Sequence, residues 1–416
     1  MSETFSAAKP SSSVRILCGT PTWTISGVNI FLATLVRSLR ARGLDARILL
    51  SNIGPTRDAL FARPEDIPFE QLPLRSAETL ERRCELLRRY LIERAPCVYL
   101  PGWDLEGAAI TPTLPPEVHV VGILHSDDPW YYGMASSLGR YMDAVVCVSR
   151  HLADRIAVDH PELAGRCHRI PYGLPLPAPQ APRELHPDRP LRLLYSGRLA
   201  EHQKRVLDVP RILSAAETLG VPFEIDIAGE GPEGEAFRQA MRSFTERGSA
   251  RLHGSLPNEA VLKLYESADV LLLPSAFEGL PLSLLECMAR GCVPLTSDLV
   301  SGVDELVENG VSGFSVRTGD FRGFAERLAR LHRDRALLSA LSEKAALRIH
   351  EGPYTDDRMA DAYQSLFEEL TIQTRWRRPH GPVTLPPGRS ASWSDSLPRP
   401  LRLLRQRLRR RWSNLP

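Results

Sequence analysis

Apolar residues in this chain gather into short blocks separated by longer amphipathic stretches, and the alternation repeats. Val14-Arg15-Ile16-Leu17-Cys18 reads as a strand, and a Gly/Ser/Pro/Thr loop follows through Ser26-Gly27. Ile30, Leu32, Leu35, Val36 and Leu39 then recur at helical spacing over roughly Val28 to Arg42. Gly43 closes that helix, and Ala46-Arg47-Ile48-Leu49-Leu50 returns as a second strand, which makes a βαβ unit. Further strands are predicted at Cys97–Leu100, at Val118–Leu124 ending on His125, and at Ala144–Val148, with a helix from about Ser149.

Residues 174–190 break the series with Pro175, Pro177, Pro179, Pro182, Pro187 and Pro190. Proline fixes φ and removes a backbone donor, so the stretch reads as an interdomain linker. A second series begins at Leu191-Arg192-Leu193-Leu194-Tyr195, with strands predicted at Phe223–Ala228, Ala250–His253, Val270–Leu273 and Val293–Thr296. The fold class is therefore α/β: two Rossmann-like, doubly wound domains facing across a cleft, with the carboxyl ends of both sheets pointing into it. The expected divisions are a disordered lead-in (1–13), an N-terminal Rossmann-like domain (14–173), the linker (174–190) and a C-terminal Rossmann-like domain (191–350). A C-terminal helix (351–371) is expected to pack back on the first domain, ahead of a basic Pro/Ser-rich tail (372–416). In that tail Leu401, Leu404, Leu408 and Trp412 share one helical face among arginines. An interfacial helix on anionic lipid and a solvated or partner-binding basic segment are both open.

Composition narrows the class. At 416 residues, 43% hydrophobic and 25% charged, the chain is an ordinary soluble globular protein of two or three domains. A net charge of +2 makes no case for a nucleic-acid partner. The only lysines are Lys9, Lys204, Lys263 and Lys344, so the place of each one carries weight. The cysteines are odd in number and form no CxxC, which fits reduced, buried thiols in a cytosolic protein rather than a disulfide framework or zinc site. No apolar run approaches the ~18 residues of a membrane span, and the N-terminus lacks a signal pattern. The expected location is cytoplasmic, with peripheral contact at the inner membrane face through 401–412.

The chemistry concentrates at residues 277–286, Phe-Glu-Gly-Leu-Pro-Leu-Ser-Leu-Leu-Glu, directly after the apolar run 269–275. A buried strand ends, a short loop carries Glu278, and a helix starts and carries Glu286. Two carboxylates and a helix N-terminus thus share one crevice, the kind that binds phosphorylated ligands. The interval alone is weak, because Glu85/Glu93 and Glu343/Glu351 repeat it on solvated helices. Gly279 and Pro281 in the turn, and Gly291 and Pro294 after the helix, set this pair apart. Arg198 ends another predicted strand and Lys204 follows in its loop, two cations that suit a diphosphate. Gly229 and Gly231 would allow close backbone approach by a ligand, with a simple tight turn as the rival explanation. No two aspartates lie two residues apart, so an Asp-x-Asp metal-diphosphate site is ruled out. Protein cations and a helix dipole must neutralise a diphosphate instead.

Together these features resemble the retaining glycosyltransferases of family 4, which have the GT-B architecture. The resemblance covers roughly residues 14–370 and is strongest over 191–318, including Pro274 to Pro281, Gly291-Cys292-Val293-Pro294 and Glu305 to Phe314. It implies a nucleoside-diphosphate sugar as donor and a hydroxyl acceptor on a glycan or lipid-linked glycan, with no cofactor and no metal. It also implies roles: Glu278 at the donor sugar, Glu286 on the ribose hydroxyls, and Arg198 and Lys204 on the diphosphate. The amides of Gly279, Leu280, Pro281, Leu282 and Ser283 are expected at the sugar and distal phosphate, proline contributing position rather than a donor. His253 is expected near the base, and His125 near the reaction centre. The resemblance favours a front-face reaction over a covalent intermediate on Glu278. Two departures stand out: the first glycine loop reads Ser26-Gly27-Val28-Asn29 rather than carrying a Gly-Gly pair, and Tyr172-Gly173 replaces the usual Asn-Gly. Rival classes are a dinucleotide-dependent oxidoreductase, for which the first loop lacks the GxGxxG spacing, and a catalytically silent GT-B binding subunit.

Overall fold

Two parallel sheets organise the chain. The computed structural model describes residues 14–51, 63–73, 79–102, 105–177, 189–372 and 379–382. The expected lead-in and the 401–412 helix lie outside the described residues. The first unit runs β1 (Arg15–Thr20), α1 (Gly27–Ala41), β2 (Ala46–Leu50), β3 (Phe69–Gln71), α2 (Leu80–Ile92) and β4 (Cys97–Leu100). It continues with α3 (Leu105–Ile110), β5 (Val118–Leu124), α4 (Pro129–Leu138), β6 (Ala144–Cys147), α5 (Arg150–Asp159) and β7 (Cys167–Arg169). The second holds β8 (Leu191–Ser196), α6 (Glu201–Lys204), α7 (Asp208–Thr218), β9 (Phe223–Ala228), α8 (Gly234–Glu246) and β10 (Ala250–Gly254). Then come α9 (Asn258–Ser267), β11 (Val270–Leu273), α10 (Leu282–Ala289), β12 (Val293–Ser297), α11 (Gly302–Leu306) and β13 (Phe314–Val316). Helices α12 (Phe321–Arg333), α13 (Arg335–Glu351) and α14 (Asp356–Ile372) follow.

The strand orders are β3-β2-β1-β4-β5-β6-β7 and β10-β9-β8-β11-β12-β13, parallel throughout. Helices cover both faces of such sheets, so central strands read as unbroken apolar runs; β4, β6 and β11 are buried at every position. The order reverses between β1 and β4 in one sheet and between β8 and β11 in the other. Loops leaving the two strands at a reversal diverge to opposite faces and leave a crevice at their carboxyl ends. Arg198 and Lys204 follow β8, and Glu278 follows β11, so the second reversal gathers them.

Helix α14 packs against α1. Arg42 of the first unit holds Asp357 and Asp361 at 3.0 and 2.9 Å, and Leu174 forms a bridge with Thr355. No described helix is long and apolar enough to cross a membrane. The free cysteines are buried except Cys167, which is partly exposed.

Where the linker rejoins the second sheet, one ion pair fixes the entry. Asp269 is 2% exposed, takes two bonds from Arg189 at 2.8 Å each, and accepts the Arg192 amide at 2.9 Å. Removing one partner of a buried pair strands the other charge. Arg189→Ala is expected to cost on the order of 3 kcal/mol, read by urea denaturation at neutral pH; an unchanged midpoint would show that the pair is dispensable.

Candidate active site

The loop after β11 is built around Glu278. It is 4% exposed, and its Oε1 lies 2.6 Å from the Lys204 ammonium and accepts the Ser275 hydroxyl at 2.6 Å. Lys204 ends the short helix α6, and Arg205 follows with φ 47°, a left-handed conformation unusual for arginine. The guanidinium of Arg205 bonds the buried Asp208 at 2.7 Å, and Glu201 caps the Leu207 amide at 3.0 Å. This turn is thereby fixed with Lys204 aimed at the loop after β11. Ala276 donates to the Gln203 carbonyl at 2.7 Å, stitching the two loops of the strand-order reversal together. Arg198 is exposed at the same mouth, and Tyr195 donates to its backbone carbonyl at 2.9 Å. The two cations therefore differ: Lys204 is engaged by Glu278, while Arg198 extends into solvent.

Helix α10 starts behind Pro281 with no side-chain cap. Its first amides have no intrahelical partner, so partial positive charge faces the crevice. Leu280, Pro281 and Leu282 are buried, while Ser283 is partly exposed. Glu286 lies one turn in, 7% exposed, and bonds Asn258 of α9. Burial pushes its carboxyl up from 4.5 to about 7, against the opposing pull of Arg290 and Asn258.

The opposite wall comes from the first sheet. Asp127 donates its amide to the Glu278 carbonyl at 3.2 Å, and Ser126 pairs with Gly279 in an antiparallel bridge. A Cβ on Gly279 would sit 2.1 Å from the His125 carbonyl oxygen, so no side chain fits. His125 follows β5, and its Nδ1 is 2.6 Å from the Tyr172 hydroxyl. Burial among Phe31, Tyr131 and Tyr172 holds its pKa down at about 3, so the imidazole is neutral. Gly27 starts α1, and a Cβ there would contact Leu282 of α10 at 3.8 Å.

Other sequence-predicted positions fall elsewhere. Gly229 and Gly231 are needed by the chain itself: Cβ atoms there would meet the Gly197 and Leu199 carbonyl oxygens at 1.9 and 2.2 Å. This close approach is to the neighbouring β8 loop, which carries Arg198. His253 lies on exposed β10 with Nε2 2.7 Å from Asp226. Sequence reasoning missed Ser275, Asn258 and Tyr172 as partners of Glu278, Glu286 and His125. No spacing rule connects Asn258 to Glu286; they meet because α9 and α10 pack side by side. Among the described residues no three His, Cys, Asp or Glu side chains gather as metal ligands.

Residues 179–348 match the family described as Glycosyl transferases group 1. The chain is 34% identical over 149 residues to the putative colanic acid biosynthesis glycosyltransferase WcaL of Escherichia coli K12, covering 34% of this chain and 36% of that protein. It thus spans little more than a third of that relative. Among solved structures, sucrose-phosphate synthase of Thermosynechococcus elongatus superimposes with TM-score 0.69 at 18% identity, over 86% of this chain and 99% of that one. The pneumococcal O-GlcNAc transferase GtfA, solved with UDP and GlcNAc, gives 0.68 at 12% identity, over 87% and 100%. At such identities the structures speak for the fold alone: two parallel-sheet units in the GT-B arrangement of glycosyltransferases.

Proposed function

We propose that this chain transfers a glycosyl group from a nucleoside-diphosphate sugar to an acceptor hydroxyl, with retention at the anomeric carbon and without a metal. The observation that carries the reading is the Lys204–Glu278 pair set against the uncapped start of α10, with Arg198 exposed beside it. The family match over 179–348 and the glycosyltransferase relative support it.

An arriving diphosphate offers Lys204 a stronger anionic partner and receives the α10 amides and Arg198. Glu278, released from Lys204, then faces the sugar. In a front-face transfer the anomeric carbon–phosphate oxygen bond breaks as the bond to the acceptor oxygen forms on the same side. The acceptor proton passes to the departing phosphate oxygen. The cations and the helix end stabilise the negative charge that develops there. Neutral His125 contributes a hydrogen bond rather than a charge, and Glu286 takes the ribose hydroxyls. The WcaL resemblance suggests an acceptor in polysaccharide assembly.

The first test is thermal stabilisation by UDP, GDP, ADP and NAD, each with and without EDTA. One nucleoside diphosphate at ~100 times its dissociation constant should add roughly 2.7 kcal/mol, with EDTA having no effect. Protection by NAD alone would favour an oxidoreductase, and protection that EDTA removes would refute the metal-free site. Arg198→Ala, at an exposed position, should weaken the protecting nucleotide about tenfold, the scale of one charge-assisted hydrogen bond; equal affinity would remove Arg198 from the site.

Glu286 gives a second test. Ribose hydroxyls donate to the ionised carboxylate, so binding favours deprotonation, and a group near 7 is about nine-tenths ionised at pH 8 and one-tenth at pH 6. Nucleotide affinity should therefore fall about tenfold from pH 8 to pH 6 beyond the nucleotide's own titration, and calorimetry should find that extra dependence gone in Glu286→Gln. The sign for folding is opposite. With its folded value raised above 4.5 to about 7, the protonated group favours the unliganded fold at low pH, and that contribution is lost as pH rises through 7. A pH profile of binding shared by both proteins would exclude Glu286 as the ribose carboxylate.

A further inference from the structure

The two walls of the crevice differ in how their helices begin. On the first sheet every cleft-side helix with a defined cap has a side chain on its first amides: Ser26 for α1, Asp128 for α4 and Ser149 for α5. Asp128 takes the Trp130 amide at 2.7 Å. Glu305 reaches across from α11 to accept the Arg150 amide at the head of α5, and its other oxygen holds Arg169 at 2.5 Å. On the second sheet α8, α9 and α10 begin with no side-chain cap. The helix ends of this wall are thus met by the Ser26 and Ser149 hydroxyls and the Asp128 and Glu305 carboxylates, whereas that of α10 is left for a ligand.

What the first wall presents instead is a set of groups suited to hydroxyls. Tyr132 donates to Asp127 Oδ1 at 2.6 Å, and the Arg155 guanidinium lies over the Tyr132 ring at 4.3 Å. The remaining contacts of Asp127 are loose: His151 Nε2 at 3.5 Å from Oδ2 and Arg155 Nη1 at 3.8 Å from Oδ1. These exceed good hydrogen-bond lengths, so the three groups keep hydrogen-bonding capacity for a ligand beside them. Asp127, His151 and Arg155 side chains are 23, 26 and 49% exposed. The Asp127 amide bonds the Glu278 carbonyl, so the cluster adjoins the catalytic loop. A carboxylate accepts, a guanidinium donates and an imidazole does either, a combination that reads neighbouring hydroxyls of one ligand. Arg155 also pairs with Asp159 at 3.3 Å, so its one positive charge is set against two carboxylates and the cluster does not favour an anion.

Resting on the glycosyl-transfer reading above, we propose that Asp127, His151 and Arg155 form an acceptor subsite for an uncharged saccharide, so that the reacting end of the acceptor carries hydroxyls and no phosphate.

Saturation-transfer NMR on the full chain, in the presence of the nucleoside diphosphate that protects it, tests this with methyl α-D-glucoside, galactoside and mannoside and with glucose 1-phosphate as probes. At least one methyl hexoside should receive saturation, and glucose 1-phosphate less than methyl glucoside. His151→Ala and Arg155→Ala should each reduce the hexoside affinity about tenfold, the loss of a hydrogen bond to a charged or strongly polar group. Both variants should keep their nucleotide protection, which shows that they fold. Binding of glucose 1-phosphate in preference to the hexosides, hexoside binding unaffected by either substitution, or no hexoside binding at all would each overturn the subsite. If no nucleotide protects the chain, the transfer reading itself fails; nucleotide protection with no saccharide binding sinks this inference alone.

Discussion

The site depends on a backbone crossing that admits no side chain. At Gly279 the loop after β11 passes the carboxyl end of β5 so closely that a single methyl carbon would overlap the His125 carbonyl. The Gly279 carbonyl in turn accepts the Gly302 amide at 2.6 Å, at the first residue of α11. Three backbone segments therefore converge on one glycine, and each carries a functional group nearby: Glu278 before it, His125 and Asp127 across it, Glu305 one turn along α11. Backbone contacts are short and stiff compared with side-chain ones, so the loop after β11 and the end of β5 are held in register. Glu305, binding both Arg150 and Arg169, extends the same junction to α5 and β7.

The Lys204–Glu278 pair has a physical logic of its own. Two charges this well buried are costly to desolvate, and their attraction repays that only with good geometry and further hydrogen bonds. Ser275 supplies one such bond, and the Arg205–Asp208 turn fixes the lysine. The left-handed Arg205 is a small strain held beside a functional group, where such strain is commonly found. In the unliganded chain the pair keeps both charges neutralised. On the proposed reading a diphosphate would exchange one ion pair for another, so its binding would not desolvate an isolated charge.

Much of this architecture is legible in the sequence because parallel strands buried on both faces leave continuous apolar runs. Cys97–Leu100, Val118–Leu124 and Val270–Leu273 announce themselves that way, and the proline series marks the passage between sheets. The short strands β3, β7 and β13 do not: three residues each, they are strands because a neighbour pairs with them, and no local period records that. The site divides along the same line. Glu278, Glu286 and Lys204 follow strand ends or open helices, so their shared edge can be inferred from order alone. Asn258, Ser275 and Asp127 matter through partners set by packing. Gly229 and Gly231 carry a real signal of close approach, and on the side where a Cβ would point the approaching group is the chain's own carbonyl.

Tyr172 shows how a departure from a family pattern can carry information. It stands where an asparagine is usual, at the linker end of the first unit, and its hydroxyl meets His125 Nδ1 at 2.6 Å. Burial holds the phenol well above its ordinary pKa, so it keeps its proton. Burial holds the imidazole neutral, so one ring nitrogen must accept. If the buried Tyr172 hydroxyl donates across this contact, Nδ1 is the acceptor and the imidazole proton sits on Nε2. His125 then presents an N–H rather than a lone pair on its far side. Such a group can hydrogen-bond a sugar oxygen but cannot take a proton from the acceptor. On the proposed reading, deprotonation would then fall to the departing phosphate, the role a front-face mechanism gives it.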